Sequence, residues 1–158
     1  MAIQYRRLTA GELDAFIEMR ISQLREEGAR RESDLKPALR DYYERHMADG
    51  TFVSWLAVER NEPSHALPDK MIGTSGMSFV ERPPHFGCPN GRMGILSSMY
   101  TDRAYRRQGI ARELLGRVVE EARKYGCSVV QITASDMGVL LYTDFGFVKN
   151  GNFMQYKL

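Results

Sequence analysis

The stretch Met99-Tyr100-Thr101-Asp102-Arg103-Ala104-Tyr105-Arg106-Arg107-Gln108-Gly109-Ile110-Ala111 decides how this chain folds. An apolar strand runs into an arginine-rich turn, and a glycine then opens an amphipathic segment. Ile110, Ala111, Leu114, Leu115, Val118, Val119 and Ala122 fall on one stripe at helical period, and Gly126 suits the position just past the helix end. A strand that turns into a helix in this way presents the unpaired N–H groups of a helix N-terminus, which suit a phosphate or pyrophosphate. Gly109 lets the backbone approach such a ligand closely. Arg103, Arg106, Arg107 and Arg112 gather positive charge around the same mouth.

Working outward, residues 128–134 read as a strand and 136–145 as a short helix. The strand over 93–101 and the one from 128 are joined by a helix, which predicts that they lie parallel and side by side. Toward the N-terminus, residues 3–8 read as a strand. Thr9 and Glu12 form a capping box, with Leu8 and Leu13 as its hydrophobic staple. The helix that follows carries Leu13, Phe16, Ile17, Ile21 and Leu24 on one face and stops near Gly28. A second helix is capped by Asp34 and closed by Gly50. Strands are expected over 52–59 and 71–80, and a final hairpin over 147–158 turns about Asn150-Gly151. The order of elements describes an α/β domain.

Two motifs stand in order along this layout. Arg106-Arg107-Gln108-Gly109-Ile110-Ala111 reads R-x-x-G-x-A, and residues 141–147 read Leu-Tyr-x-x-x-Gly-Phe. Together they resemble the acyl-CoA pyrophosphate loop and the last helix of the GCN5-related N-acetyltransferase (GNAT) family. The resemblance implies the GNAT fold, with a single mixed central sheet of about seven strands and flanking helices. That sheet would be splayed between its fourth and fifth strands, here those ending at Thr101 and starting at Ser128. Residues 1–158 would form one such domain. The implied cosubstrate is acetyl-CoA, whose pantetheine arm would enter the splay and bond backbone groups at Met99 and Thr101, on either side of Tyr100. Its pyrophosphate would rest on the segment Arg106, Arg107, Gln108, Gly109, Ile110, Ala111 and Arg112. Ser135 stands where the family often has an asparagine. It either reaches the pantetheine or begins a helix cap with Asp136. Tyr142 would face the coenzyme sulfur.

The implied reaction is attack of a primary amine on the acetyl thioester, through an oxyanion that an N–H near Met99 would stabilise. A lysine-like amine is neutral in only ~0.04% of molecules at pH 7, so its deprotonation costs about 4.6 kcal/mol. The strand over 93–101 has no carboxylate to take that proton. Glu81 and His85, on the connection before it, are the candidate bases, beside water relayed to backbone carbonyls. Tyr142 faces a similar mismatch. With a phenol pKa of ~10 against ~8.5 for a thiol, full proton transfer is uphill by about 2 kcal/mol. The tyrosine helps if its pKa is lowered, or if it mainly hydrogen-bonds the leaving sulfur.

Composition limits the alternatives. Hydrophobic residues make up 43% and charged residues 27%, with a net charge of only +2, so the overall charge does not call for a nucleic acid. The helix after the arginine cluster interleaves acidic with basic residues, unlike a groove-binding helix. Neither a Walker A nor a dinucleotide glycine pattern is present. Cys88 and Cys127 are not spaced as a metal or redox pair, and no metal is implied. Nothing resembles a signal peptide or a membrane span; a cytoplasmic protein is expected. The expected activity is acetyl-CoA-dependent N-acetylation of a primary amine on a small molecule or peptide, with room for a homodimer. The alternative is a catalytically inactive acyl-CoA-binding module, which would have no use for Tyr142. The acceptor site is expected near the first two helices and adjoining loops, with Tyr42, Tyr43, Phe86, Arg30 and Arg31 as contributors.

Overall fold

Six strands share one sheet, whose order is β1-β3-β4-β5-β6 with β2 paired to β4. The computed structural model describes residues 2–30, 33–61 and 68–158. The strands are β1 (Ala2–Arg7), β2 (Phe52–Val53), β3 (Trp55–Arg60), β4 (Lys70–Glu81), β5 (Arg92–Thr101) and β6 (Val129–Gln131). The helices are α1 (Leu13–Glu26), α2 (Lys36–Ala48), α3 (Ile110–Tyr125) and α4 (Val139–Phe145). Pairing is antiparallel from β1 to β5, and β5 and β6 run parallel as their helical connection requires. Among the described residues no helix is long and apolar enough to cross a membrane.

The N-terminal punctuation forms as its sequence predicts. Thr9 donates its N–H to Glu12 Oε2 at 3.1 Å, and Leu8 and Leu13 are buried in one cluster with Phe16, Tyr43 and Phe52. Arg6 grips both oxygens of Glu12, holding that carboxyl down at about 2. On the other side of the sheet, α3 buries Ile110, Leu114, Leu115, Val118, Val119 and Ala122. Gly73 lets α3 come close, since a Cβ there would lie 3.0 Å from Ile110 and 3.1 Å from Leu114.

Three expectations are corrected. The segment 52–59 is two strands, because Ser54 breaks it: its carbonyl accepts from Leu8 N–H at 2.9 Å, and Trp55 N–H turns to Ser75 Oγ at 3.0 Å. The strand ending at Thr101 is therefore β5, and the sheet opens between β5 and β6. Second, residues 147–158 form no strand, which leaves six strands among the described residues where about seven were expected. Gly151 adopts the turn conformation at φ +69°, yet Phe153, Met154 and Tyr156 stay more than 80% exposed at 82%, 89% and 88%. A hairpin with nothing packed on its apolar face is marginal in water. Third, β6 stops at Gln131 rather than at residue 134.

Candidate active site

The opening of the sheet creates an open cleft of about 990 Å³. β6 pairs with β5 only at Met93, Gly94 and Ile95, so from Leu96 onward one edge of β5 faces the cleft. A bulge interrupts the other edge. Between Thr74 and Gly76 of β4 lies one residue, while two lie between Ser97 and Tyr100 of β5. The extra residue is accommodated by Ser98 at φ 55°, with its carbonyl held by Thr74 Oγ1 at 2.7 Å. Ser98 and Arg107, the positive-φ residues other than glycine among the described residues, both line this cleft. Such backbone strain collects at functional sites.

The mouth is the start of α3. Glu113 N–H closes the first turn on the Gly109 carbonyl at 3.1 Å, so Ile110, Ala111 and Arg112 have no carbonyl four residues back within the helix. Gly109 caps the helix at φ +80°, and a Cβ built on it meets no atom within 4 Å. Its surroundings are open space, and its backbone angle is one that side chains rarely adopt. This cradle fits a pyrophosphate.

The arginines divide into two groups. Arg106 donates to Glu26 Oε2 at 2.6 Å and to the Thr101 carbonyl at 2.8 Å, and Arg103 donates to Glu26 Oε1 at 3.1 Å. Tyr100 OH adds a third donor to Glu26 at 3.0 Å. The Arg106 hydrogen bond above all holds the Glu26 carboxyl below its ordinary pKa. Arg107 and Arg112 make no ion pair among the described residues and remain available at the mouth.

Most of the residues expected to hold acetyl-CoA come together here. Met99, Tyr100 and Thr101 line the cleft with Arg106, Arg107, Gly109, Ile110, Ala111 and Arg112; Gln108 faces solvent beside it. The backbone groups expected to take the pantetheine already have partners. Gln23 Nε2 donates to the Met99 carbonyl at 3.2 Å, and Arg106 occupies that of Thr101. Ser135 also lines the cleft, but it is not the cap of α4. That helix starts at Val139 with Gly138 as N-cap and no side-chain cap, and the Ser135 carbonyl accepts from the N–H groups of Gly138 and Val139.

Tyr142 is on α4, 7% exposed, with its ring edge-on to Phe147 at 5.6 Å. Gly138 makes room for it, since a Cβ there would lie 2.7 Å from the ring. The hydroxyl makes no hydrogen bond among the described residues. Burial, with a smaller contribution from Glu27, pushes its pKa up to about 12. This shift runs against the first of the two ways in which the tyrosine could assist a leaving thiolate, a lowered pKa.

Glu81 and His85 are in the wrong place. Glu81 pairs with Arg92 at the far end of β5, with its side chain 78% exposed. His85 closes a tight turn, its Nδ1 accepting from Gly87 N–H at 3.2 Å. From Arg92 to Met99 the strand advances about 23 Å, so neither side chain reaches the cleft. They are adjacent to its strand in sequence but lie at the opposite end of the sheet. Phe86 is fully exposed at that same end, Tyr43 is a core residue, and Tyr42 bonds Ser78. Arg30 follows α1 on the surface, and Arg31 lies outside the described residues.

The wall opposite α4 was not foreseen. Arg20, Gln23, Glu26 and Glu27, all from α1 or its C-terminal cap, line the cleft. Their spacing of three and four residues was visible in the sequence, but a polar helix face looks the same whether water or a ligand covers it.

Comparison with known proteins bears on the fold and the family. A predicted acetyltransferase of Clostridium acetobutylicum, solved with acetyl-CoA, is 26% identical, covers 99% of this chain and 96% of its own, and superposes with a TM-score of 0.88. A GCN5-related N-acetyltransferase from Ralstonia eutropha JMP134 has the same fold, with a TM-score of 0.82 at 23% identity and 99% of each chain covered. A protein named probable glucosamine 6-phosphate N-acetyltransferase 2, from Oryza sativa subsp. japonica, is 31% identical over 86 residues. That match takes in 54% of this chain and spans about half, 51%, of the rice protein. Residues 14–147 match the model of the Acetyltransferase (GNAT) family, and the chain belongs to that family.

Proposed function

We propose that the protein transfers the acetyl group of acetyl-CoA to a primary amine of a small molecule. One observation carries this: the cradle at the start of α3, the edge of β5 that β6 leaves open and Tyr142 line a single cleft. The donor's relevant chemistry is a thioester carbonyl activated for attack by an amine. The N–H groups of Ile110, Ala111 and Arg112, with the side chains of Arg107 and Arg112, hold its pyrophosphate. The open edge of β5 takes its pantetheine amides in the manner of an added strand, which requires Gln23 and Arg106 to release the carbonyls of Met99 and Thr101. The bulge at Ser98 and Met99 turns backbone N–H toward the reacting carbonyl, where an oxyanion is stabilised.

Tyr142 acts as a hydrogen-bond donor. With its pKa near 12, outright transfer to a thiolate of pKa ~8.5 is uphill by about 5 kcal/mol. A short hydrogen bond to the developing charge needs no such transfer. A small acceptor is supported by relatives whose names refer to glucosamine 6-phosphate and to aminoglycosides. The test is thiol release from acetyl-CoA with glucosamine 6-phosphate, neamine and a lysyl peptide. Release with either small amine and not with the peptide is the expected outcome. Acetyl-CoA binding with no turnover on any amine would make the protein the inactive acyl-CoA-binding module instead.

A further inference from the structure

We propose that Glu27 is the catalytic base, receiving the acceptor's ammonium group in the cleft and taking its proton. This assignment rests on the transferase function proposed above. The chemistry needs a carboxylate or its equivalent on the open side of the site, and β5 supplies none.

Three acidic residues line the cleft, Glu26, Glu27 and Asp136. Asp136 is exposed on the segment before α4, and among the described residues no hydrogen bond ties it to β5; the surroundings of the two glutamates differ. Glu26 is saturated by Tyr100 OH, Arg103 and Arg106. A carboxylate with three donors, two of them guanidinium groups, is a poor proton acceptor. Glu27 receives one hydrogen bond, from Gln23 Nε2 to its Oε1 at 3.1 Å. Its Oε2 has no protein partner among the described residues, and the residue is open to solvent.

Gln23 aims this carboxylate. It is 7% exposed, accepts from Arg20 at 2.9 Å, and donates both to Glu27 and to the carbonyl of Met99. One side chain therefore ties Glu27 to the bulged part of β5. Across the cleft, Tyr142 feels the Glu27 charge, so the carboxylate and the phenol face one space from opposite walls. The charged and titratable groups that line the cleft with it are Arg20 and Glu26 on α1, Tyr100 on β5, Tyr105, Arg106 and Arg107 on the loop, Arg112 on α3, Asp136 just before α4 and Tyr142 on α4.

The proton count closes. Glu27 takes one proton from the ammonium and passes it to water. The freed lone pair forms the C–N bond, the C–S bond breaks, and its electron pair leaves on sulfur. The remaining excess proton on nitrogen goes to that sulfur, giving amide, thiol and one released proton.

The test compares Glu27→Gln with the wild type, using whichever of glucosamine 6-phosphate or neamine turns over. Glutamine keeps an oxygen for Gln23, so a role confined to positioning Gln23 survives this change. At pH 7 the variant is expected to lose about a hundredfold in kcat/KM for the amine, with the KM for acetyl-CoA unchanged. The deficit is expected to shrink as pH rises toward the amine pKa, because neutral amine then needs no base; Glu27→Asp should recover part of the rate. A variant within twofold of wild type at pH 7 overturns the assignment alone. So does a deficit that is the same at every pH. A wild-type protein that acetylates none of the amines overturns the transferase function and this assignment together.

Discussion

The two ends of β5 belong to one continuous strand and do opposite work. At Met93, Gly94 and Ile95 the strand is bonded on both edges, with α3 packed over it and no space to spare. At Ser97 to Thr101 it is bonded on one edge only, bulged, and crossed by polar side chains from α1. The closed end holds the sheet together. The open end leaves a helix N-terminus unpaired, and the carbonyls of Met99 and Thr101 are held there by side chains of Gln23 and Arg106 rather than by a strand. Proximity to the site strand in sequence therefore says little unless the end is specified, which is why Glu81 and His85 lie away from the cleft.

The most severe way to break the contrast is at Tyr142. Tyr142→Phe removes one oxygen from the open end, and the ring packing on Phe147 is retained. Loss of a hydrogen bond to the developing thiolate is expected to lower kcat roughly thirty- to thousandfold, with the KM for acetyl-CoA nearly unchanged. Wild-type turnover in this variant would make the tyrosine a core residue.

Gly109→Val acts at the same end but on binding. The valine must adopt φ +80° or rebuild the loop, and it fills the cradle. Acetyl-CoA affinity by calorimetry is expected to fall at least roughly tenfold in a protein that still folds. Unchanged affinity would remove the pyrophosphate from this loop.

Gly94→Ala probes the closed end. The added Cβ would lie 2.7 Å from Met77 Sδ and 3.3 Å from Val130, so overpacking should cost about 2 kcal/mol of stability in urea denaturation. Acetyl-CoA affinity of the folded variant should not change. If it falls as far as in Gly109→Val, the two ends are not separate.

A smaller effect should appear in alkali. The Tyr142 pKa is raised above its unfolded value to about 12. The stabilisation is thus fully present below pH ~10 and is lost as pH rises through the folded value, an effect of about 1–2 kcal/mol. Denaturation between pH 9 and 12 should therefore show a steeper decline for wild type than for Tyr142→Phe. Parallel declines would mean that the phenol is more hydrated than its 7% exposure implies. The smallest effect is expected at Glu81→Gln and His85→Ala, each within twofold of wild-type kcat/KM at every pH from 6 to 9. A shifted acidic limb in either would bring the far end of β5 back into the chemistry.

The local signals were legible because each depends on neighbours in the chain. The capping box at Thr9, the apolar stripe of α3, the glycine at 109 and the tyrosine before Gly146-Phe147 all declare themselves within a few residues. They determined the class of fold, the family and one wall of the cleft. Three things only the folded chain decided. The partners of Arg103 and Arg106 depend on Glu26, which is about eighty residues away in sequence and reaches them because α1 crosses the open end of β5. The tail at 147–158 carries a good turn signal, but a hairpin needs a surface to pack on, and no periodicity reveals whether one is offered. The polar face of α1 became the second wall of the site because tertiary packing set it over the gap left by β6. Charge and period specify that a helix face is polar, and only packing specifies what that face meets.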